Sequence, residues 1–235
     1  MAGFEKMNKV FASPEEAIAD IADGSTIMFG GFGVAGIPLT LIKALHHKGT
    51  KNITAITNSP GGRIEGIDLS LLFQNKQVKK VIASYPIYPG MVSLFEQQYL
   101  RGEVELEVVP QGTFVERIRA GGAGIAGFYT PTGVGTVLAE GKEQRTFHGK
   151  EYLLELAIKA DFALIKAHKG DRMGNLVYRR STRNFNPVMA TAASVTIAEV
   201  DEIVEAGQLD CEAIVTPGIF VDRLVQGERY EVRFK

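Results

Sequence analysis

The residues of this 235-residue chain that could do chemistry lie mostly at the ends of short apolar runs. Gly30, Gly31, Gly33 and Gly36 crowd into seven positions, with Phe32, Val34 and Ala35 between them. A loop so poor in side chains brings backbone N–H groups close to a ligand and aims a following helix N-terminus at negative charge. Gly31, Gly33 and Gly36 spell GxGxxG, which fits either a tight strand-to-helix turn or a dinucleotide site. The dinucleotide site wants an acidic residue about 20 positions on to hold a ribose hydroxyl. No Asp or Glu occurs between Asp23 and Glu65, and the next apolar run ends in Asn58, so a dinucleotide is excluded. Asn58 and Gln111 carry side-chain amides, which can donate hydrogen bonds without supplying full charge. From the residues alone, the turn-former reading of Asn58 and the loop reading of Gln111 are preferred. Lys166, Lys169 and Arg172 could meet phosphates, but we read them as a solvated turn. His46 and His47 fall at a predicted helix C-terminus, where positive charge is favourable; His148 and His168 are expected in polar loops. With Cys211 as the one cysteine, no metal-ligand spacing is present and no metal is expected.

The elements that would position these residues alternate in type. Ser13-Pro14-Glu15-Glu16 is a helix start, with Ser as N-cap, and the helix is expected to reach about Ala22. Asp23-Gly24 is a turn, Thr26 to Phe29 a buried strand, and Leu39 to Lys48 a helix closed by Gly49. Strands follow at Ile53 to Thr57, Lys80 to Ser84 and Val104 to Val109, with helices at Leu69 to Gln74 and Ser93 to Arg101 between them. Gly121 to Gly135 fits either tight turns or extended backbone along a cleft. Thr146 to Leu154 contains a strand. Asp161 to Ala167 is a buried strand, and Phe162 to Tyr178 resembles a hairpin. Pro187 to Ala193 reads as a helix, Val195 to Val200 as a strand, and the charged tail from Gly227 as exposed or packed on a partner. The pattern predicts an α/β fold: an open, mainly parallel sheet with helices on both faces and a small extra β-rich region, all one domain over 1–235. Ligands bind such sheets at the carboxyl ends of the strands.

The net charge of −1 argues against a nucleic-acid or anionic-membrane surface. No stretch approaches the roughly 18 apolar residues needed to cross a bilayer. Met1 to Val10 has no hydrophobic region, so the expectation is a soluble cytoplasmic protein.

Several blocks together resemble one family. They are Asp23-Gly24 with the glycine loop and Pro38; Val109-Pro110-Gln111-Gly112-Thr113 with Glu116 to Ile125; Phe128 to Thr136; and Arg183-Asn184-Phe185-Asn186-Pro187. The chain is similar over nearly its whole length to the first (alpha) subunit of family I coenzyme A transferases. The resemblance implies a ping-pong reaction in which an enzyme glutamate attacks an acyl-CoA, giving an anhydride and then a glutamyl-CoA thioester. It places that glutamate in a Glu-x-Gly block of a second subunit. Glu140-Gly141-Lys142 is the nearest string here and reads as a surface loop. The implied contribution of this chain is half an active site: Asn58 and Gln111 facing the carboxyl groups, and Gly30, Gly31, Phe32, Gly33, Val34, Ala35 and Gly36 lining the CoA pocket. Phe32 would pack on the pantetheine arm or the core. No permanently bound cofactor is implied; a CoA thioester is the substrate. The implied partner is the second (beta) subunit of the transferase, in a heterodimer or heterotetramer.

Lys166 to Arg172 and Ala139 to Glu143 look closest to subunits acting on 3-oxoacids, including 3-oxoadipate, with succinyl-CoA as donor. Ser59 departs from the second asparagine that such enzymes show after the first, and Tyr85-Pro86-Ile87-Tyr88-Pro89-Gly90 departs from a Gly-Glu-Asn turn. A serine has a shorter reach and one donor, so a wider or wetter pocket floor is expected. Two prolines flanking Tyr88 should stiffen that loop. An acetate- or butyrate-type transferase and a ligand-sensing module without transfer chemistry are the competing readings.

Overall fold

The structure, a computed structural model, describes residues 9–62 and 66–228. Residues 229–235 of the charged tail lie outside the described residues. The first helix, α1, covers Pro14–Ala17 and is capped as the sequence predicts: Glu16 N–H donates to Ser13 Oγ at 3.1 Å, and Ala12 N–H to Glu16 Oε2 at 3.2 Å. It stops short of Ala22. The carbonyls of Ile18, Ala19 and Ile21 turn instead to the Lys48 ammonium, at 3.1, 2.8 and 2.5 Å. Lys48 ends α2, Leu39–Lys48, which follows β1, Thr26–Phe29, and closes on Gly49 in the left-handed region at φ 75°. Next come β2 (Ile53–Thr57), α3 (Ser70–Gln74), β3 (Val78–Ala83), α4 (Leu94–Leu100), β4 (Glu105–Val108) and α5 (Gln111–Gly122). The small antiparallel sheet is built from β5 (Gly127–Thr130), β6 (Gln144–Phe147) and β7 (Lys150–Leu156), in the order β5-β7-β6. The chain then returns through β8 (Ala160–Asp171), β9 (Leu176–Val177), α6 (Asn186–Met189), β10 (Ala193–Val204) and β11 (Arg223–Gln226).

The main sheet runs β11-β10-β8-β1-β2-β3-β4, every pair parallel, with β9 turning back antiparallel on β8. Alternation along each strand sends successive side chains to opposite faces. Ile27 and Phe29 join Leu41, Ile42, Leu45, Phe73 and Phe95 under α1 to α4. Met28 joins Phe114, Ile118, Phe185 and Met189 under α5 and α6. The expected α/β sheet with helices on both faces and a small β-rich addition is the observed fold. Besides α1, two boundaries near the site differ. Gln111, readable as a loop residue, opens a 12-residue helix, because Pro110 sets the extended entry at φ −53°, ψ 136°. The Pro187 to Ala193 helix shrinks to one turn, since Ala193 already pairs with Ala160 in the sheet. At Gly121 and Gly122 the glycine-rich run makes close backbone contacts. A Cβ there would lie 2.1 Å from Ile158 O and 2.2 Å from Thr191 Oγ1.

The run Lys166 to Arg172 is not a solvated turn, which corrects the reading from sequence. Lys166 to Asp171 forms the second half of β8, in register with Glu199 to Val204 of β10, and Arg172 stands just past its end. Lys166 pairs with Glu199 at 3.1 Å and with Asp201 at 2.7 Å; Lys169 pairs with Glu202 at 2.9 Å and Arg172 with Glu205 at 2.7 Å. His168, expected in a polar loop, sits in the same strand 3.1 Å from Asp201. The signal missed is a second charged run, Glu199 to Glu205, with acids at the same spacing 33 residues on.

Lys166 is 6 % exposed and Glu199 not at all. Lys166→Met would strand a buried carboxylate and should destabilise the chain by about 3–5 kcal/mol in urea unfolding. Burial already holds the Glu199 pKa above the usual carboxylate value, with the Lys166 charge opposing it. Without Lys166 that rise grows. A raised folded pKa means stability present below the unfolded value and lost as pH climbs through the folded one. The deficit of the variant against the native chain should therefore widen as pH rises above the ordinary carboxylate value; a deficit constant with pH would show that charge is not its cause.

Candidate functional site

Four adjacent parallel strands, β1 to β4, deliver the predicted residues to one edge of the sheet. Gly30 leaves β1, Asn58 leaves β2, Ser84 and Tyr85 leave β3, and Val109 to Gln111 leave β4. Neighbouring strands stand about 4.8 Å apart, so the backbones at Asn58 and Gln111, with β3 between, are separated by roughly 10 Å.

The glycine loop is clamped from behind. Gly30 N–H donates to Leu164 O at 2.9 Å, and Phe32 and Ala35 exchange N–H···O bonds of 3.0 Å in a tight reversal. Asn184 Nδ2 donates to Ala35 O and Asn186 Nδ2 to Gly36 O, both at 3.0 Å, while Asn186 Oδ1 accepts from Lys166 N–H at 2.9 Å. Gly30 allows that approach: a Cβ would lie 1.8 Å from Asn186 Oδ1. Gly36 needs its freedom twice, at φ +70° and with a hypothetical Cβ 2.9 Å from Asn186 Nδ2. Phe32 stacks on Phe185 with centroids 6.5 Å apart yet remains half exposed, so it touches the core and still offers a ring face to a ligand. The N–H groups of Gly31, Gly33 and Val34 donate to no acceptor among the described residues. They are the loop's available donors.

The N-terminus of α2 is not available to an anion. Thr40 and Leu41 N–H donate to Glu199 Oε2 at 2.8 and 3.2 Å. The negative charge that the loop-helix pattern calls for comes from inside the protein.

Asn58 is buried, 3 % exposed, rather than lying open to solvent. Its Nδ2 donates to Ser84 Oγ at 2.9 Å, leaving the second amide proton for a ligand, and its carbonyl accepts from Tyr85 N–H at 2.8 Å. Ser59, also buried, bonds the Tyr88 hydroxyl at 2.7 Å. Gln111 stands exposed on the first turn of α5. A cavity of about 10 Å3, room for about one water, separates the glycine loop from Ser59, Gly61 and Asp68. Asp68 cannot act as a free nucleophile there: its oxygens accept from Gly62 N–H at 2.7 Å and Ser70 N–H at 2.9 Å. A wider groove of about 430 Å3 lies at the amino ends of β8 and β10, lined by Gly121, Gly124, Lys159 and Ser194, on the side of the sheet away from these donors. Glu140 is exposed in a turn, as expected. In the sequence Asn184 and Asn186 stand out only as part of a motif; their positioning role depends on contacts about 150 residues apart in the chain.

Residues 11–227 match the family model described as coenzyme A transferase. The chain is 53% identical over 229 residues to the A-subunit of the probable succinyl-CoA:3-ketoacid coenzyme A transferase of Bacillus subtilis, covering 97% of this chain and 94% of that one. It is 52% identical over 219 residues to the A-subunit of the 3-oxoadipate CoA-transferase of Pseudomonas putida, covering 93% and 94%. Its fold is similar to an acyl-CoA transferase from E. coli O157:H7 in a thioester complex with CoA, at TM-score 0.83 and 23% identity, over 97% of this chain and 48% of that one.

The clamp is testable. Asn186→Asp replaces the donor to Gly36 O and Thr182 O with an acceptor. Leaving buried carbonyls unpaired should cost about 2–3 kcal/mol, read by chemical denaturation. A stability loss under about 0.5 kcal/mol would mean that the loop is held by other contacts.

Proposed function

We propose, for a chain that belongs to the coenzyme A transferase family, the role of the first subunit in a two-subunit enzyme moving CoA from succinyl-CoA, or another acyl-CoA, to a 3-oxoacid. The names of the relatives from Bacillus subtilis and Pseudomonas putida support this substrate class and a second, partner subunit. The observation that carries the reading is the character of the carboxyl edge. It presents neutral donors, while the carboxylates beside it among the described residues, Asp68 and Glu199, are both engaged by backbone N–H groups.

The chemistry then divides between two chains. A glutamate of the partner attacks the thioester carbonyl, the C–S bond breaks, and an acyl-glutamyl anhydride and CoA thiolate form. The thiolate attacks the glutamyl carbonyl, releasing the first acid and leaving a glutamyl-CoA thioester; the second acid reverses both steps. Each attack puts negative charge on a carbonyl oxygen. The N–H groups of Gly31, Gly33 and Val34 and the amides of Asn58 and Gln111 are the donors this chain brings to that charge. Phe32 offers its exposed face to the pantetheine arm. The packing of both helical layers on one sheet among the described residues supports a single domain. No helix among the described residues is long and apolar enough to cross a membrane, and we place the enzyme in the cytoplasm.

Purified alone, the chain should transfer no CoA; with its partner it should. Mass spectrometry of the trapped intermediate should find the CoA adduct on the partner, and an adduct on any Glu of this chain overturns the half-site reading. In the assembled enzyme Gln111→Ala should lower turnover by about 10²–10³ with thermal stability unchanged, since the side chain is exposed. Asn58→Ala should lower turnover similarly and also cost about 1–2 kcal/mol of stability, because it leaves a buried pairing with Ser84 unmade.

A further inference from the structure

Lys166, Lys169 and Arg172, the cations that the sequence offers to phosphates, are spent on Glu199, Glu202 and Glu205. Arg101, Arg117, Arg119, Arg145 and Arg223 each lie within 3.1 Å of a carboxylate oxygen. Three arginines break this pattern among the described residues. Arg179, Arg180 and Arg183 are all exposed, and no described carboxylate pairs with any of them. They share one 3-10 turn, Arg180–Arg183, with Arg179 as its entry. The turn is firmly bonded. The Thr182 hydroxyl accepts from Arg179 N–H at 2.9 Å and donates to Arg179 O at 2.6 Å. Arg180 is held at φ 52°, a left-handed conformation uncommon outside glycine. The turn is also seated on the glycine loop. A Cβ on Gly36 would lie 3.1 Å from Thr182 Cα, and Asn184 Nδ2 donates both to Ser181 O and to Ala35 O, at 2.7 and 3.0 Å. The loop therefore has two flanks. Gly30, Gly31 and Gly33 border Ser59 across the small cavity on the β2 side. Ala35 and Gly36 meet the arginine turn on the β8 side, where Asn186 accepts from Lys166 N–H.

We propose that Arg179, Arg180 and Arg183 form a subsite for the phosphates of the CoA nucleotide. A cluster of one charge sign concentrates counter-ions beside it, and guanidinium forks match phosphate oxygens. β2 and β8 flank β1 and stand about 10 Å apart, two strand spacings. Long side chains carry the guanidinium groups farther still. A small acid held at Asn58 does not reach across the loop, whereas the pantetheine arm of a thioester does. With its carbonyl at the amides, such a thioester lays its arm along Gly31 to Val34 and the exposed face of Phe32, and its phosphates arrive at the turn. The three charges lie on the flank away from the acid, so they hold CoA without retaining the product acid. This inference rests on the assigned function, with the reacting carbonyl at the Asn58 edge.

The test uses the assembled two-subunit enzyme with acetoacetate as acceptor and two donors, succinyl-CoA and succinyl-pantetheine, the second of which lacks the phosphates. Arg180→Gln and Arg183→Gln should each lower kcat/KM for succinyl-CoA about tenfold, and the triple variant with Arg179→Gln about a hundredfold. The loss should vanish with succinyl-pantetheine, whereas a distorted loop would slow both donors alike. Calorimetry should show the affinity for CoA falling in the same order. Added salt should weaken CoA binding by the native enzyme more than by the variants, because it screens the same charges. Equal losses with both donors, or no loss with succinyl-CoA, overturns the proposal. So does release of the partner subunit from the variants in size-exclusion chromatography, which would assign the arginines to acids of the partner. A native enzyme that binds CoA but transfers it to no acid overturns the assigned function itself, and the subsite then stands or falls on the variants' CoA affinity.

Discussion

The glycine loop depends on one buried carboxylate. Glu199 reaches from β10 to the first turn of α2, accepts the N–H groups of Thr40 and Leu41, and meets Lys166 of β8 at 3.1 Å. Three elements thus converge on two charges, neither of which reaches solvent to any extent. Such a pair adds little net stability beyond what packed apolar residues would give, but breaking it is costly because the survivor has no water. Its effect is to fix where α2 begins, and therefore where the loop between β1 and α2 must lie. Gly227 shares the constraint: a Cβ there would fall 2.4 Å from Glu199 Oε1. The Lys166 backbone N–H extends the same device through Asn186 to the carbonyl of Gly36.

This arrangement separates formal charge from the reacting edge. Lys166, Glu199, Asp201 and His168 form a connected set behind the loop. Burial raises the Asp201 pKa, but hydrogen bonds from Lys166 and His168 outweigh it and hold the carboxyl below its ordinary value, so it stays ionised as a partner. In front of the loop stand amides, hydroxyls and backbone N–H groups. A site that binds an acid, transforms it and releases another is poorly served by a fixed cation, which would retain the product. Neutral donors strengthen as charge develops on the carbonyl oxygen and relax as it collapses.

What can be read in the sequence is what is local. The β1-loop-α2 unit follows from an apolar run, a glycine cluster and a helical period ending at Gly49, and the structure places all three with the same bounds. The carboxyl-edge location of Gly30, Asn58, Ser84 and Pro110 follows from strands alternating with helices. What cannot be read depends on register between distant segments. Lys166 looks like a surface cation until Glu199 is known to be its partner in β10, and Asn58 looks like an open turn residue until β3 brings Ser84 and Tyr85 over it. Gln111 is ambiguous for a smaller reason: Gly112 directly after it lowers helix propensity, and Pro110 reads equally as the end of a strand or the entry to a helix.

The pairing of Glu199 with Lys166 also bears on the nucleophile proposed for the partner. A bare carboxylate roughly 8 Å from a second one opposes it by about 2 kcal/mol at an effective dielectric near 20. Without Lys166, an attacking glutamate brought to this edge would face the substrate carboxylate and the capping carboxylate together, and its pKa would rise. With Lys166 cancelling Glu199, the edge is close to neutral, and the charge of an incoming glutamate meets only the substrate and the donors. Placing that glutamate on a separate surface lets its own surroundings set its ionisation independently of the buried charges that hold the loop. In the proposed division of the site, one surface is kept close to neutral to receive acids and the other stays ionised to attack them.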